Sequence, residues 1–308
     1  MLTVTVPDES WVDAVGAVPG VRVRAWDMTA PLTDPAGVGV VVHPYFTGVD
    51  RLRHLADLPD LQAVSVLTAG FETAVPYVPP GVQLLNAAGV HDASTAELAV
   101  ALILAALRGI PDFVRAQDRG EWLPLRIGPA LADKRVLVVG YGSIGRAIAA
   151  RLAPFEVTLT AVASTARPGD ELVERVHGIA ELPALLPHHD VVVLIVPLTP
   201  ATERMVDADF LAAMPDGALL VNMARGKVVD TDALVTAAAG GRLRVALDVT
   251  DPEPLPAGHP LWRCPTLVLS PHVGGATSAL APRAARLLRE QFGRYAAGQP
   301  FRNVVHTG

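Results

Sequence analysis

Short apolar runs rich in valine recur along the chain, separated by polar or helix-forming stretches. Up to about residue 90 they are Leu2 to Val6, Val21 to Ala25, Val38 to Val42, Ala63 to Leu67 and Val82 to Leu85. A second series holds Val136 to Val139, Val157 to Val162, Val191 to Val196, Ala218 to Asn222, Val245 to Val249 and Leu267 to Leu269. Val136 to Val139 is apolar at every position, as a strand covered on both faces must be. This rhythm predicts parallel α/β architecture. Helical patterning covers Arg146 to Leu152, the apolar Leu98 to Leu107, and an amphipathic stretch from Leu280 to Tyr295. Ser94-Thr95-Ala96-Glu97 offers an N-cap before the apolar helix, and a first domain boundary is expected there. Gly120 to Asp133, with Trp122, Pro124, Gly128 and Pro129, reads as a connecting loop or arm.

Composition narrows the class. The 308 residues exceed what one hydrophobic core usually supports, so two domains are expected. With 51% hydrophobic and 18% charged residues, material for buried sheets is ample. A net charge of −6 with no basic stripe argues against nucleic-acid binding, which needs clustered Lys and Arg. The first residues lack a positive region followed by a long apolar one, and Leu98 to Leu107 is too short to span a bilayer; a cytoplasmic protein without membrane partners is expected. A single cysteine, Cys264, excludes an internal disulfide and offers no zinc cluster, and no metal is expected.

Candidate chemistry begins where the first strand of the second series ends. Gly140, Gly142 and Gly145 stand in G-x-G-x-x-G spacing between an apolar strand and an alanine-rich helix. In that context the first glycine makes the tight turn, the second lets backbone approach a pyrophosphate, and the third lets helix pack on strand. The helix N-terminus adds free N–H groups and a positive dipole end. After Val157 to Val162 an acid normally binds the adenosine ribose of NAD, yet the chain continues Ala163-Ser164-Thr165-Ala166-Arg167, and its first carboxylate is Asp170. Ser164, Thr165 and Arg167 supply donors for a ribose 2′-phosphate without a repulsion worth up to about 4 kcal/mol at 4 Å. NADP(H) is therefore favoured, with NAD(H) as the alternative should Arg167 point to solvent.

Ligands of parallel sheets bind at the carboxyl ends of strands. In the first series those ends are His43-Pro44-Tyr45-Phe46 and Thr68-Ala69-Gly70-Phe71; in the second they carry Arg225, Glu253 and His272. Singly, each of the three has an ordinary account: a surface cation, a solvated loop acid, a hydrogen-bonded core histidine. Together with Pro197-Leu198-Thr199-Pro200-Ala201-Thr202, Val221-Asn222-Met223-Ala224-Arg225-Gly226, Ala246-Leu247-Asp248-Val249, Glu253-Pro254-Leu255-Pro256 and Pro271-His272-Val273-Gly274-Gly275, the chain resembles the D-isomer-specific 2-hydroxyacid dehydrogenase family. The resemblance implies two Rossmann-like or flavodoxin-like doubly wound parallel-sheet domains separated by an active-site cleft. Residues 1–96 with 277–308 would form a discontinuous substrate-binding domain and 97–276 the NAD(P)-binding domain. It implies Arg225, Glu253 and His272 as catalytic residues and substrate contacts at Ala69, Gly70, Arg225 and His272. Dinucleotide contacts would fall on Ser143, Ile144, Val196, Pro197, Thr202, Met223, Ala224, Arg225, Asp248, His272 and Gly274. It also implies a homodimer formed through the nucleotide domain, with the Gly120 to Asp133 arm and the apolar helix facing the partner.

The expected reaction is hydride transfer between NAD(P)H and a small 2-oxo acid such as glyoxylate or hydroxypyruvate. His272 would donate the proton, an adjacent Glu253 would stabilise its imidazolium, and Arg225 would orient carboxylate and carbonyl with a planar fork. Asp248 would hold the nicotinamide side through hydrogen bonds. The alternatives are an NAD-dependent phosphoglycerate or D-lactate dehydrogenase and, from another class, a nucleotide-sensing corepressor-like binding protein. Phosphorylated substrates would want more cations than Arg51 and Arg53 near His43, and Glu253 counts against a formate dehydrogenase.

Overall fold

The computed structural model describes residues 2–45 and 47–308, so Phe46 of the His43 segment lies outside the described residues. The chain divides into two compact units, Met1–His91 with Gly275–Gly308, and Asp92–Gly274. Both divisions fall slightly before the expected ones, after 91 rather than 96 and after 274 rather than 276.

Unit one opens with β1 (Leu2–Val6), α1 (Glu9–Val15), β2 (Val21–Ala25), β3 (Val38–His43), β4 (Ala63–Val66) and β5 (Gln83–Leu85). Asp8 caps α1 by accepting the N–H of Trp11. The chain then makes unit two: α2 (Asp92–Arg108), α3 (Ile110–Asp118), β6 (Arg135–Val139), α4 (Ser143–Leu152), β7 (Thr158–Ala163), β8 (Arg167–Pro168), β9 (Arg175–Gly178), α5 (Leu182–Leu185), β10 (Val191–Leu194), α6 (Ala208–Ala213), β11 (Leu219–Asn222), α7 (Thr231–Ala239), β12 (Arg244–Leu247) and β13 (Leu267–Leu269). It returns to unit one as α8 (Leu280–Ala296) and β14 (Val304–Thr307).

Unit one is a sheet in the order β14-β5-β4-β3-β1-β2, parallel except for β14, which pairs antiparallel with β5. Val4, Val6, Val40, Val42 and Leu85 point to one face under Val15 of α1 and Ala284, Leu288 and Phe292 of α8. Val41, Val64, Val66 and Leu84 point to the other, beneath Leu52 and Leu55. The orphan carbonyls at the end of α1 are satisfied from far along the chain, where Arg289 donates to Val15 O at 2.8 Å and Ala14 O at 3.0 Å.

Unit two is a sheet in the order β13-β12-β11-β10-β6-β7-β9-β8, parallel apart from the short β8–β9 pair. Leu137, Val139, Val192, Leu194, Leu220 and Val245 face Phe210, Leu211 and Leu234. Val136, Val191, Val193, Leu219 and Val221 face α2 and α4, meeting Ile103, Ile148 and Leu152. Asp207 and Asp230 cap α6 and α7 through the N–H groups of Phe210 and Ala233. The order reverses beside β6, so the glycine loop lies at the switch point where such sheets bind ligands.

One expected start is corrected. α2 begins at Asp92, and Ser94 and Thr95 are buried within it rather than capping it. An acid in the first turn complements the helix dipole, and Asp92 also accepts the Ser143 hydroxyl at 3.2 Å. No single helix among the described residues is long and apolar enough to cross a membrane.

Candidate active site

The glycines of the loop after β6 have three different surroundings. Gly140 sits at φ +106°, and a Cβ there would strike the Ile195 carbonyl. At Gly145 a Cβ would strike Gly140 O, so only glycine lets α4 pack this closely on β6. Gly142 has nothing within 4 Å of where its Cβ would stand. That open space lies at the N-cap of α4, where no side chain caps the helix, so a pyrophosphate could meet the first-turn N–H groups there. Ser143 and Ile144 form that first turn, with Ile144 packed on the core below. This arrangement fits a dinucleotide.

Beyond β7, Ser164, Thr165 and Arg167 are exposed, and Arg167 folds back to donate to Tyr141 O at 2.6 Å. Asp170 also returns to the glycine loop, accepting the buried Tyr141 hydroxyl at 3.0 Å and Arg146 Nε at 2.9 Å. Burial raises the Asp170 carboxyl, but the N–H of Leu172, the Arg146 guanidinium and the Tyr141 hydroxyl outweigh it and hold it below its ordinary range. Burial first, and then Asp170, push the Tyr141 phenol up.

After β10, Val196 is half-buried and Pro197 exposed. Thr202 closes their turn, donating to Pro197 O at 2.6 Å and accepting the Thr199 N–H at 2.8 Å. Its hydroxyl therefore shapes the loop.

Arg225, Glu253 and His272 follow the adjacent strands β11, β12 and β13 in turn. Met223 and Ala224 are buried, and Ala224 N donates to the Asn222 side chain while Asn222 Nδ2 donates to Arg225 O, both at 3.0 Å. This clamp sets the turn that presents half-buried Arg225, whose Nη1 donates to Ala224 O at 2.7 Å. A Cβ on Gly226 would strike Thr250 O, so the Arg225 turn lies against the loop leading to Glu253. The Asp251–Pro252 and Glu253–Pro254 peptides are cis. Glu253 Oε1 lies 2.5 Å from His272 Nδ1, with both side chains partly exposed.

Asp248 is buried and its carboxylate accepts three bonds from the loop after β13. It accepts the Ser270 hydroxyl at 2.7 Å and the N–H groups of Val273 and Gly274 at 2.9 Å each, while its carbonyl accepts His272 N at 2.8 Å. Asp248 thus holds the segment that carries His272. Asn222 and Ser270 perform positioning roles that sequence reasoning passed over. Asn222 bonds the backbone of a turn and Ser270 the Asp248 carboxylate, contacts that leave no periodic signal.

In unit one, Ala69 and Gly70 follow β4. Asn86 Nδ2 donates to Ala69 O at 2.7 Å and Thr68 Oγ1 to Gly70 O at 2.6 Å, so both carbonyls of the turn accept side-chain donors. His43 ends β3, where burial pushes its imidazole down. Arg51 donates to Asp27 O at 2.9 Å and Arg53 pairs with Asp50 at 3.2 Å, so both nearby cations are engaged. Among the described residues no cluster of His, Cys, Asp and Glu could hold a metal.

Residues 100–274 match the family model described as D-isomer specific 2-hydroxyacid dehydrogenase, NAD binding domain. This chain belongs to that family. It is 32% identical over 289 residues to the human glyoxylate reductase/hydroxypyruvate reductase, covering 90% of this chain and 88% of the relative. A D-isomer specific 2-hydroxyacid dehydrogenase from Xanthobacter autotrophicus Py2, in complex with NADPH and MES, superposes with a TM-score of 0.84 at 31% identity, covering 99% and 98% of the two chains. The NADPH-dependent glyoxylate/hydroxypyruvate reductase from Sinorhizobium meliloti, in complex with NADP and sulfate, gives a TM-score of 0.83 at 25% identity, covering 99% and 98%. This dehydrogenase is therefore an NAD(P)-dependent oxidoreductase acting on the CH–OH group of small 2-hydroxy acids, or on the corresponding 2-oxo acids.

Proposed function

We propose that this dehydrogenase is an NADPH-preferring reductase of small 2-oxo acids, glyoxylate and hydroxypyruvate being the favoured class. The observation that carries the reaction is the 2.5 Å pairing of Glu253 with His272 Nδ1. With Nδ1 committed to the carboxylate, Nε2 carries the proton that the carbonyl oxygen receives on reduction. Glu253 stabilises the imidazolium before transfer and keeps the ring oriented afterwards. Arg225 grips the substrate carboxylate and polarises its carbonyl. When bound, the reduced nicotinamide supplies the hydride to the carbonyl carbon. In the oxidative direction His272 takes the hydroxyl proton.

Cofactor preference follows from the end of β7, where Ala163 replaces an acid and Arg167 leans over the glycine loop. The complexes of the two neighbours with NADPH and NADP support the same reading. Against phosphorylated substrates stands the commitment of Arg51 and Arg53 to their own neighbours. We also infer a homodimer formed through the arm after α3, where Trp122 and Leu125 are each 99% exposed and Ile127 is fully so.

A direct test follows the oxidation of NADPH and NADH by glyoxylate, hydroxypyruvate, pyruvate and 3-phosphohydroxypyruvate. The expected result is a higher kcat/KM with NADPH and the unphosphorylated acids, with Arg167→Ala weakening NADPH more than NADH. Faster oxidation of NADH would overturn the cofactor assignment. Cofactor binding without turnover of any 2-oxo acid would indicate a binding protein instead.

A further inference from the structure

Residues 167–176 form a small hairpin beside the glycine loop. β8 and β9 pair antiparallel through Arg167 with Val176 and Pro168 with Arg175, and the turn is closed by Gly169 N to Glu174 O at 3.2 Å and Asp170 N to Val173 O at 2.9 Å. Glycine is required at 169, because a Cβ there would strike the Val173 carbonyl. Arg167 is carried on the outgoing strand of this hairpin, so the position of its guanidinium depends on how the hairpin is attached.

The attachment runs through Asp170. Its Oδ1 accepts the N–H of Leu172 at 3.0 Å and of Val173 at 3.3 Å, and its Oδ2 accepts Arg146 Nε at 2.9 Å from α4. The Tyr141 hydroxyl, from the glycine loop, lies at 3.0 and 3.1 Å from the two oxygens. Arg146 also pairs with Glu171. Tyr141 is thereby held at both ends, its hydroxyl by Asp170 and its carbonyl by Arg167.

We propose that Asp170 is a positioning residue for 2′-phosphate recognition, clasping the hairpin to the glycine loop so that Arg167 stands ready beside Ser164 and Thr165. The proposal rests on the NADPH reading above. It excludes the other role open to the first acid after β7, that of a displaced ribose ligand. A carboxylate offers about four acceptor sites, and those of Asp170 are taken by Tyr141, Arg146, Leu172 and Val173. The clasp and the bare charge of Asp170 also make opposite predictions. Deleting an anion near a dianionic phosphate should tighten binding; releasing the hairpin should weaken it.

The test is calorimetric binding of 2′,5′-ADP and 5′-AMP to the full chain, wild type against Asp170→Ala, Asp170→Asn and Tyr141→Phe, with melting curves as the folding control. Wild type is expected to bind 2′,5′-ADP more tightly than 5′-AMP. Asp170→Ala should weaken 2′,5′-ADP about tenfold, which is 1.4 kcal/mol, while changing 5′-AMP by less than about twofold. Asp170→Asn and Tyr141→Phe should move the same way by smaller factors. Should Asp170→Ala fail to fold, Tyr141→Phe, which deletes one hydroxyl, decides. An equal loss for both nucleotides, no loss, or tighter 2′,5′-ADP binding overturns the clasp. A wild type that does not discriminate the two nucleotides overturns the NADPH reading and the clasp with it, whereas discrimination that survives in every variant removes Asp170 alone.

Discussion

His272 adopts φ +54°, a left-handed backbone that a side chain bearing a Cβ rarely accepts and that costs on the order of 1–3 kcal/mol. The surroundings that hold it there are visible. Asp248 accepts the N–H groups of His272, Val273 and Gly274 and the hydroxyl of Ser270, so the segment cannot relax without stranding buried donors. The strain is stored at the residue proposed to move the proton, and it aims the imidazole at Glu253. His272→Ala should lower kcat by about two to four orders of magnitude while cofactor affinity stays near that of wild type. Steady-state kinetics beside equilibrium titration with NADPH checks this, and turnover at the wild-type rate would remove His272 from the reaction.

The glycine loop shows how one motif holds positions that fail in different ways. Gly142→Ala places its methyl in open space, so the fold should survive with an unchanged melting temperature while dinucleotide affinity falls at least about tenfold, or 1.4 kcal/mol. Gly145→Ala drives a methyl into the Gly140 carbonyl and should cost about 1–3 kcal/mol of stability as well as affinity. Thermal melts paired with cofactor titration separate the two, and identical behaviour would refute the division of labour.

His189, at the entry to β10, adds a pH-dependent contribution. Its Nδ1 pairs with Leu185 O at 2.7 Å and its Nε2 with Thr160 Oγ1 at 2.9 Å, and burial holds its pKa below the ordinary 6.5. The unfolded chain therefore takes up this proton first on acidification. The contribution is full above about pH 6.5 and drains as pH falls through 6.5 toward the depressed native value. Between pH 7.5 and 5.5, His189→Gln should lose less of its melting temperature than wild type; equal losses would exclude the effect. Element boundaries were legible where apolar residues alternate with polar ones or stand together between polar stretches, as in β1, β2 and β13, whose expected and observed ends coincide. They were illegible in β9 and β14, where Arg-Val-His-Gly and Val-Val-His-Thr carry too few apolar positions to stand out from the flanking chain.

For the molecule as a whole, the arm after α3 is the feature a monomer has least reason to keep, since Trp122, Leu125 and Ile127 lie fully exposed near half-exposed Phe113 and Val114. Light scattering should report a dimer for wild type and a monomer for Trp122→Ser/Leu125→Ser/Ile127→Ser; a wild-type monomer would refute the inferred interface. The sequence by itself determined the two α/β series, the nucleotide loop and the residues of the proposed triad. Each is a local signal: buried strands need unbroken apolar runs, and a phosphate turn needs glycines at set spacing. Tertiary structure alone decided what those residues touch. Glu253 reaches His272 across 19 positions, Asp190 pins the start of β6 across 55, and Arg289 caps α1 across 274, because strand order, and not distance along the chain, sets which ends are neighbours. By the same logic Asp248 came to hold the loop that carries His272, and Asp170 to close on the glycine turn.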